Sequence, residues 1–544
     1  MTGWAMTKAA PRTRLTTHEV RNQPPDFGDR NLYLDDVALR EAVRREAGDW
    51  LDATLTGLGA LAGSAEVLAL GDDANRNPPT PRIFDRGGAR LDEVSFHPAY
   101  HRLMDLAMSA GIHDIAWKDG AEAPPRAPHA GHAAMLAVFT QAEAGVMCPV
   151  NMTYAAVPVL RADPASAEWA ARIVGGRYDP DLRPIGSKAG LTVGMAMTEK
   201  QGGSDVRANS TRAEPDGSMY RLTGHKWFCS APMSDGVLTL AQTDAGLSCF
   251  LVPRVLPDGD RNAIALMRLK DKLGNRSNAS AEIEYHGALA WPLGASGDGV
   301  RTIITMVHHT RLGTIAATLG IMRRALAETL HRTAHRHAFG KALIDQPAMQ
   351  TVLADLQVEY EAAAALVMHV AARFGAPDPE TRAYSRLAVA LAKYILTKRC
   401  PAFVAECLEC HGGDGYVEDG PLARYYREAP LNGIWEGSGN VIALDILRTL
   451  ARAPEAADVL LGLLADTDAE LAGGMRDLVA NSTEGSARHM AEALALRLQA
   501  ALLIRDAPAP VSDAFRGRLA GALTYGARFP ISHVKVVVER ARLT

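Results

Sequence analysis

The sequence predicts a mainly α-helical protein with a central β domain, and two observations lead to this prediction. Hydrophobic residues recur every three to four positions in the first and last parts of the chain, as in amphipathic helices. Between them lie short β-branched runs separated by Gly- and Pro-containing turns, as in a β-barrel or sandwich. We therefore expect an N-terminal arm and helical domain (1–185), a β-barrel domain (186–299), a helical bundle (300–450) and a C-terminal helical extension (451–544).

The N-terminal region opens with a polar, Pro-containing segment (1–30), which we expect to form an arm on the body or on a neighbouring subunit. Helical spacing starts at Val37 and resumes after an Asn- and Pro-rich loop at 75–81. It breaks again around residues 121–129. This region is therefore predicted to be mostly α.

The central region carries the signals of short strands. Turn sequences such as Pro215-Asp216-Gly217 separate runs of alternating or β-branched residues. The predicted strands are 191–197, 219–223, 237–241, 247–252 and 281–285.

Composition and charge fit a protein with sizeable cores in a reducing compartment. The chain is 47% hydrophobic and 22% charged, and its net charge of -4 gives no whole-protein electrostatic signature of nucleic-acid binding. Six cysteines are too few for a disulfide-stapled scaffold. The first 14 residues lack the apolar core of a secretory signal, and no apolar run approaches the ~20 residues of a membrane span. We expect a cytoplasmic protein that makes no membrane contact.

A strand followed by a glycine-rich turn is the first candidate for ligand binding. Met197 and Thr198 end the strand, and the turn continues to Gly203 and Ser204. Glycines let the backbone approach a flat ligand closely, while hydroxyls and free amides bond its polar edge. Downstream, Trp227 and its neighbours on a second strand could stack against such a ligand. A plain β-turn and a buried core tryptophan are the alternatives.

A second candidate follows a long helix. Arg336 precedes a turn that contains Phe339 and Gly340, and Gln346 follows shortly after. An arginine held beside such a turn could pair with a pyrophosphate through two hydrogen bonds. The alternative is a solvated arginine that ends the helix.

Residues 407–411 match the pattern of a covalent haem attachment site and also resemble half of a metal site. Haem attachment requires export, and no second pair of ligands accompanies Cys407 and Cys410. We therefore predict that these cysteines are small core residues and that the chain has no metal site.

The last candidate places a carboxylate beside an aromatic ring. Trp435 and Glu436 precede Gly437, and Asn440 follows in the turn that opens a helix. A carboxylate in an apolar pocket has a raised pKa and can act as a general base near neutral pH. The alternative is a glutamate favoured by the helix dipole.

Taken in order, these motifs resemble the acyl-CoA dehydrogenase family over roughly residues 100–450. Residues 272–277 and the Gly412-Gly413 stretch match further family landmarks. The resemblance implies an N-terminal helical domain, a β-barrel and a four-helix bundle, with FAD lying between barrel and bundle. It also implies a homo-oligomer, either a dimer or a homotetramer built as a dimer of dimers, whose subunits share cofactor sites.

By the same resemblance, Glu436 is the catalytic base that takes a proton from an acyl-CoA or another small hydrophobic substrate, and Arg336 reaches the cofactor of a neighbour. Trp435 stands where many relatives have a smaller tyrosine, which would narrow the acyl pocket. The resemblance assigns the following residues to FAD binding: Met197, Thr198, Gly203, Ser204, Trp227, Phe228, Ser230, Arg336, Phe339, Gln346, Gly412, Gly413, Trp435, Gly437 and Asn440.

The match is closer to the branch of this family that is associated with the response to DNA alkylation. Residues 22–24, 31–34 and 74–79 resemble segments of that branch. The branch implies weak dehydrogenase activity and binding of double-stranded DNA. Phosphate contacts require clustered cations, but the balanced charge of the tail leaves a mixed solvated surface as the alternative. The candidate DNA contacts are Arg448, Arg452, Arg516, Arg518, Arg528, Lys535, Arg540 and Arg542.

Overall fold

The N-terminal part is a layer of helices interrupted by one hairpin. The computed structural model describes residues 10–519 and 531–542. The first helix begins where the Asp36 side chain accepts a hydrogen bond from the amide of Leu39, which is an N-cap. The elements are α1 (Val37–Ala47), α2 (Asp52–Ala62), α3 (Ala65–Arg76), β1 (Thr80–Phe84), β2 (Arg90–Ser95), α4 (Pro98–Ser109), α5 (Pro128–Thr140), α6 (Met147–Arg161) and α7 (Ala167–Ile173).

The β1–β2 hairpin was not predicted from the sequence, which indicated only a loop and helices at this point. Its strands pair antiparallel, but they carry Arg, Asp and Pro and remain largely exposed. The hairpin is fixed by the β domain, because the Asp92 carboxylate accepts the amide of Leu266 at 2.7 Å. A tertiary contact of this kind leaves no local hydrophobic pattern.

The central domain is a seven-stranded sheet that closes on itself. Besides the order β3-β5-β4-β6-β7-β9-β8, additional pairings join β3 to β6 and β5 to β9. All five predicted strands lie in this sheet, whereas the polar strand β4 and the strand β8 were missed. The strands are β3 (Val193–Ala196), β4 (Arg212–Asp216), β5 (Met219–Ser230), β6 (Gly236–Thr243), β7 (Gly246–Pro253), β8 (Ile264–Leu269) and β9 (Ser280–Leu293).

Long helices build the third part. The 37-residue helix α8 packs against α5, α6, α9 and α10, and a Cβ at Gly313 would lie only 1.9 Å from the Asn151 side chain of α6. A small residue is therefore needed where α8 crosses α6. The elements are α8 (Gly299–His335), β10 (His337–Ala338), β11 (Lys341–Ala342), α9 (Pro347–Arg373), α10 (Pro379–Cys410), α11 (Gly413–Tyr416), α12 (Leu422–Glu428) and α13 (Gly439–Arg452).

The C-terminal extension packs onto the bundle through α17, which contacts α9, α10 and α13. Its arginines also reach bundle carboxylates: Arg518 pairs with Asp355 and Glu359, and Arg540 pairs with Glu361. The helices are α14 (Pro454–Thr467), α15 (Ala469–Ala472), α16 (Met475–Asn481), α17 (Ala487–Asp506), α18 (Ala509–Arg518) and α19 (Val534–Ala541).

The N-terminal arm lies on the body of its own chain, at the end of α8. The Asn22 side chain donates to the His337 carbonyl at 2.8 Å and accepts the His337 amide at 2.7 Å. Phe27 packs edge-on against His331, and the Pro25 carbonyl bonds the same ring. The arm thereby holds the turn that follows α8.

The arrangement confirms the predicted fold class of helical domain, β-barrel, helical bundle and additional helical block. Within the described residues no single helix has both the length and the apolar character of a membrane span, although the bent pair 49–62 and 65–76 meets those criteria when its two helices are taken together.

Candidate active site

Glu436 lies in the loop between α12 and α13, and its backbone is in the left-handed region. Its φ is 57°, and the φ of the following Gly437 is 103°. A non-glycine residue adopts this conformation only when its surroundings hold it, and such residues concentrate at functional sites.

Two buried cations hold this loop by its carbonyls. Lys393 of α10 donates through Nζ to the Gly437 carbonyl at 2.7 Å and to the Asn432 carbonyl at 3.2 Å. Arg311 of α8 donates through Nε to the Glu436 carbonyl at 3.1 Å and through Nη1 to Asp445 at 2.7 Å. The loop is therefore fixed from both long helices.

The carboxyl group of Glu436 points into the protein. Its Oε2 is buried and has no hydrogen-bond partner among the described residues. Burial raises the pKa of Glu436, while the Thr310 hydroxyl and the charges of Lys393 and Arg311 act in the opposite direction. A desolvated carboxylate with an oxygen left free can accept a proton from a bound substrate.

Trp435 precedes Glu436 in this loop, and its side chain is held by a hydrogen bond and by packing. Its Nε1 donates to Asn432 Oδ1 at 2.9 Å, and Asn432 donates in turn to the Thr318 hydroxyl at 2.9 Å. The ring packs against a buried hydrophobic cluster, and Met197 of the β domain packs against the same cluster. The Glu436 loop and the predicted glycine-rich turn therefore border the same cluster.

The glycine-rich turn is organised around the buried carboxylate of Glu199. This carboxylate accepts a hydrogen bond from the Lys226 ammonium at 2.8 Å. It also accepts the Thr211 hydroxyl at 2.6 Å and the Ser210 amide at 2.7 Å. One buried anion therefore gathers the turn, the strand β5 and the start of β4.

The two predicted segments of the β domain are joined by the backbone. The amide of Trp227 donates to the Thr198 carbonyl at 2.8 Å. A Cβ at Gly203 would lie 2.3 Å from the Thr198 hydroxyl, so only glycine fits there. The turn is thus held by packing and by hydrogen bonds, and the Gly202 amide donates to the Glu199 carbonyl as in a β-turn.

The aromatic residues beyond this turn differ in their surroundings. Phe228 is 47% exposed, with the ammonium of Lys270 at 4.8 Å from its ring centroid, so part of its ring is open to a planar ligand. Trp227 is half-buried under the ammonium of Lys270, which lies 3.2 Å from its ring centroid, so it is not the buried core residue of the alternative. Ser230 ends the same strand, opposite Met195 of β3.

Cys148 of α6 connects the two halves of the site. Burial raises the pKa of its thiol to about 12, and the charges of Lys272 and Glu436 and the Ser230 hydroxyl also act on it. Ser230 of the β domain and Glu436 of the bundle therefore lie near one side chain. The chemistry of these residues suits a flat redox cofactor, because Phe228 offers an exposed ring and Glu436 offers a carboxylate oxygen without a hydrogen-bond partner among the described residues.

Three of the predicted cofactor contacts lie beyond the far end of α8. Arg336 follows that helix, 25 residues after Arg311, which corresponds to roughly 37 Å of helix. Phe339 is 99% exposed, and Gln346 donates to the Ala338 carbonyl. One chain therefore does not bring these residues to Glu436.

The predicted contacts at Gly412 and Gly413 are also remote from the Glu436 loop. Both glycines are exposed just past the end of α10. The last residue of that helix is separated from Lys393 by about 26 Å of helix. In contrast, Asn440 lies close to Glu436 in the sequence and is exposed in the first turn of α13.

The Cys407–Cys410 pair occupies the last turns of α10. Cys407 is fully buried, Cys410 is half-buried, and both are free thiols. Among the residues that the structure describes, no three His, Cys, Asp or Glu side chains are placed to bind a metal ion. Cys407 packs in the core, as predicted, whereas Cys410 lies at its margin.

The cationic residues of the tail fall into two groups. Arg516 pairs with Asp468, and Arg518 and Arg540 pair with bundle carboxylates, so these guanidinium groups are engaged within the chain. Arg448 and Arg452 are exposed on α13. Lys535 and Arg542 are exposed near the C-terminus, and Arg528 lies outside the described residues.

Two functional residues were missed by the sequence reasoning, namely Arg311 and Lys393. Each contacts a loop that is distant in the sequence, so no local spacing identifies the pairing. A usable signal did exist for Lys393, because a single lysine stands in the apolar run 387–396. A buried lysine requires a partner and is therefore a functional candidate.

Comparison with known proteins identifies the family. Models of three domains match: the adaptive response protein AidB N-terminal domain over residues 22–180, the acyl-CoA dehydrogenase middle domain over 194–288 and the acyl-CoA dehydrogenase C-terminal domain over 297–451. The chain is 47% identical over 449 residues to AidB of Escherichia coli (strain K12), covering 82% of each protein. It is 32% identical over 443 residues to acyl-CoA dehydrogenase family member 11 of Caenorhabditis elegans, covering 77% of this chain and 71% of that protein.

Solved structures agree with this assignment. The crystal structure of Caenorhabditis elegans ACDH-11 in complex with C11-CoA has a TM-score of 0.81 at 26% identity and covers 98% of this chain and 93% of that one. The predicted resemblance and the predicted FAD cofactor are thereby confirmed. The chain belongs to the acyl-CoA dehydrogenase family and is an AidB-like, FAD-dependent oxidoreductase.

Proposed function

We propose that the protein catalyses the α,β-dehydrogenation of an acyl-CoA thioester, with Glu436 as the base. The observation that carries this proposal is the buried Oε2 of Glu436, which has no hydrogen-bond partner among the described residues. FAD, when bound, supplies the acceptor for the hydride that leaves the β carbon. The complex of a related enzyme with C11-CoA supports an acyl-CoA as substrate class.

The residues of the chain transfer the proton, position the base and exclude water. Glu436 takes the α proton onto its carboxylate, and its raised pKa makes it a stronger base than an exposed glutamate. Arg311 and Lys393 hold the loop that carries it. Trp435 and the hydrophobic cluster against which it packs exclude water and limit the width of the acyl group.

The test is the anaerobic bleaching of bound flavin by a panel of straight and branched acyl-CoAs. We expect the wild-type protein to bleach with at least one thioester, and Glu436→Gln to lose about 10²–10⁴-fold in rate. Glu455→Gln, which removes an exposed carboxylate of α14, is the matched control and should keep the wild-type rate. Equal inertness of wild type and Glu436→Gln towards all thioesters would remove this assignment.

We further propose that the protein is a cytoplasmic homo-oligomer, assembled as a dimer of dimers. Six free cysteines support a reducing compartment. The separation of Arg336 and Phe339 from Glu436 along α8 supports the sharing of cofactors between subunits. These two residues are too far away to contact a cofactor at Glu436 of their own chain, and we infer that they contact the cofactor of a neighbouring subunit.

Exposed aromatic side chains support a protein contact at the end of the bundle where this sharing would occur. Phe339 is 99% exposed and Tyr416 is 81% exposed. An ion pair between Arg332 and Asp414 places the ends of α8 and α10 side by side, so both rings belong to one end of the bundle. Sedimentation of the holoprotein tests the assembly, and a monomer that retains FAD would contradict it.

A second candidate function is the binding of double-stranded DNA in the response to alkylation. It is favoured by the similarity to AidB and by Arg448 and Arg452, which lie four residues apart on the exposed face of α13. Titration with duplex DNA at several salt concentrations tests it. We expect affinity to fall with salt and the slope to become shallower in the double variant Arg448→Ala, Arg452→Ala. Arg476→Ala, at an exposed pair with Asp458, is the control. Unaltered binding in the double variant would exclude this contact.

A further inference from the structure

Lys393 is buried beneath the catalytic loop. Its side chain is in the middle of α10, and the residue is only 1% exposed. Its Nζ donates to two carbonyls of the loop, at Gly437 and Asn432. These carbonyls lie on either side of Trp435 and Glu436. One ammonium group therefore joins the start and the end of the segment that carries the base.

The segment needs such a clamp because its backbone is strained. Glu436 has a φ of 57°, a conformation that is unfavourable for a residue with a Cβ. Arg311 holds the Glu436 carbonyl from α8, and Lys393 holds the next carbonyl from α10. Loss of either donor leaves a carbonyl without its partner and lets the carboxyl group turn.

The charge of Lys393 also acts on Glu436. Burial lowers the pKa of Lys393 to about 7, while nearby Glu436 raises it and Arg311 and Lys398 lower it. The Glu436 carboxyl in turn is faced by four groups, namely the Thr310 hydroxyl, Lys393, Arg311 and the thiol of Cys148. Lys393 is thus a cation placed next to the base without being one of its direct partners.

We propose that Lys393 is a positioning residue for Glu436: it holds the left-handed turn that presents the carboxyl group, and its charge favours the ionised carboxylate. This inference rests on the proposed role of Glu436 as base. The two effects are separable, because an amine that has lost its proton keeps two N–H donors for the two carbonyls but no longer carries the charge.

The first experiment follows flavin reduction by an acyl-CoA in single turnovers across pH, in the full-length holoprotein. We expect Lys393→Met to move the acidic midpoint of the profile upward by about 1 pH unit and to slow the limiting rate about tenfold. Lys393→Arg keeps the charge and should restore the midpoint. Arg382→Met removes an exposed cation near the start of the same helix and should keep both values. If Lys393→Met folds but keeps the wild-type midpoint, the inference is wrong.

A second experiment does not depend on turnover. The melting temperatures of wild type, Glu436→Gln, Lys393→Met and the double variant form a thermodynamic cycle. At pH 6, where Lys393 with its pKa of about 7 still carries its charge in the wild type, we expect Glu436→Gln to raise the melting temperature more in the Lys393→Met background, because the carboxylate there has lost its cation. Additive effects would overturn the inference. Lys393→Gln replaces Lys393→Met if the latter does not fold.

The two experiments separate the failure of the inference from the failure of the proposed function. If no acyl-CoA reduces the wild-type flavin, dehydrogenation is the wrong assignment, and the cycle alone decides whether Lys393 acts on Glu436. If wild type is reduced and neither the pH midpoint nor the cycle responds to Lys393, the function stands and Lys393 is only a structural residue.

Discussion

Lys226 and Glu199 form an ion pair of 2.8 Å in which neither side chain is exposed to solvent. The ammonium also bonds the Leu240 carbonyl at 2.7 Å. Burial alone would raise the pKa of Glu199, but Lys226 and the surrounding hydroxyl and amide donors lower it to about 2. The pair thus joins the glycine-rich turn to the inside of the barrel.

We expect Lys226→Met to destabilise the protein by about 3–5 kcal/mol, because it leaves the Glu199 carboxylate buried without its cation. FAD retention should fall as well, since the turn from Thr198 to Ser204 loses its anchor. Chemical denaturation and the flavin content after gel filtration measure the two effects. The matched control is Arg476→Ala at the exposed pair with Asp458, which should cost under about 1 kcal/mol. A similar cost for both variants would show that the buried pair is unimportant.

Gly437→Ala should lower both stability and activity. Gly437 has a φ of 103°, and an added Cβ would lie 3.0 Å from Ile442 Cδ1. We expect a loss of about 1–3 kcal/mol from strain in the loop that carries Glu436. Gly462→Ala is the contrasting variant, because Gly462 lies within α14 and an added Cβ meets nothing within 4 Å. It should stabilise by about 0.5–1 kcal/mol. Thermal melts that rank the two variants in the opposite order would contradict this account.

Glu428→Gln should change how stability depends on pH. Burial, with a smaller contribution from the charge of Glu143, raises the pKa of Glu428 to about 7. Because the pKa is higher in the folded state, the protonated carboxyl group contributes its full stability at pH values below the ordinary pKa near 4.5. This contribution is lost as the pH rises through 7. Wild type should therefore lose roughly 1–3 kcal/mol of stability between pH 5 and 8 that Glu428→Gln keeps. Denaturation at both pH values measures this difference, and Glu484→Gln, an exposed carboxylate, should behave as wild type. Parallel pH profiles for wild type and Glu428→Gln would refute the prediction.

Arg518→Ala should loosen the C-terminal extension. The guanidinium bonds Asp355 and Glu359 of α9, and it is largely buried there. Its removal leaves two carboxylates close together, although Arg399 still neutralises Glu359. We expect a loss of about 2–4 kcal/mol and faster amide exchange in α18. Arg448→Ala, at an exposed position of α13, is the control and should have little effect on stability. Unchanged exchange in α18 of the Arg518→Ala variant would contradict the prediction.

Much of the fold followed from the sequence because helices and strands have different hydrophobic periods. The helices from Val37 and from residue 300 were expected on this basis, and the five strands with clear β-branched runs were all found. The β1–β2 hairpin and β4 were missed because many of their residues are polar and exposed, so they lack the alternating hydrophobic pattern of a half-buried strand.

The site was predicted in its parts but not in its connections. The carboxylate of Glu436 and the turn at Thr198 were both named from local pattern, and the structure brings Ser230 and Glu436 to the same thiol. The contacts of Lys393 and Arg311 could not be predicted, since they bind backbone carbonyls and any residue type can supply a carbonyl. The separation of Arg336 from Glu436 could not be predicted either. It depends on the length and direction of α8 in the fold, and the spacing of hydrophobic residues does not give that direction.

The attachment of Asn22 to His337 spans 315 positions of the chain. During synthesis, at about 5–20 residues per second, the arm therefore waits roughly 15–60 s before its binding surface has been translated. Until then its polar side chains remain in water, which suits a segment of such composition. A fusion partner placed ahead of the arm would be present throughout that interval, and it would compete with a docking step that comes late in the life of the nascent polypeptide.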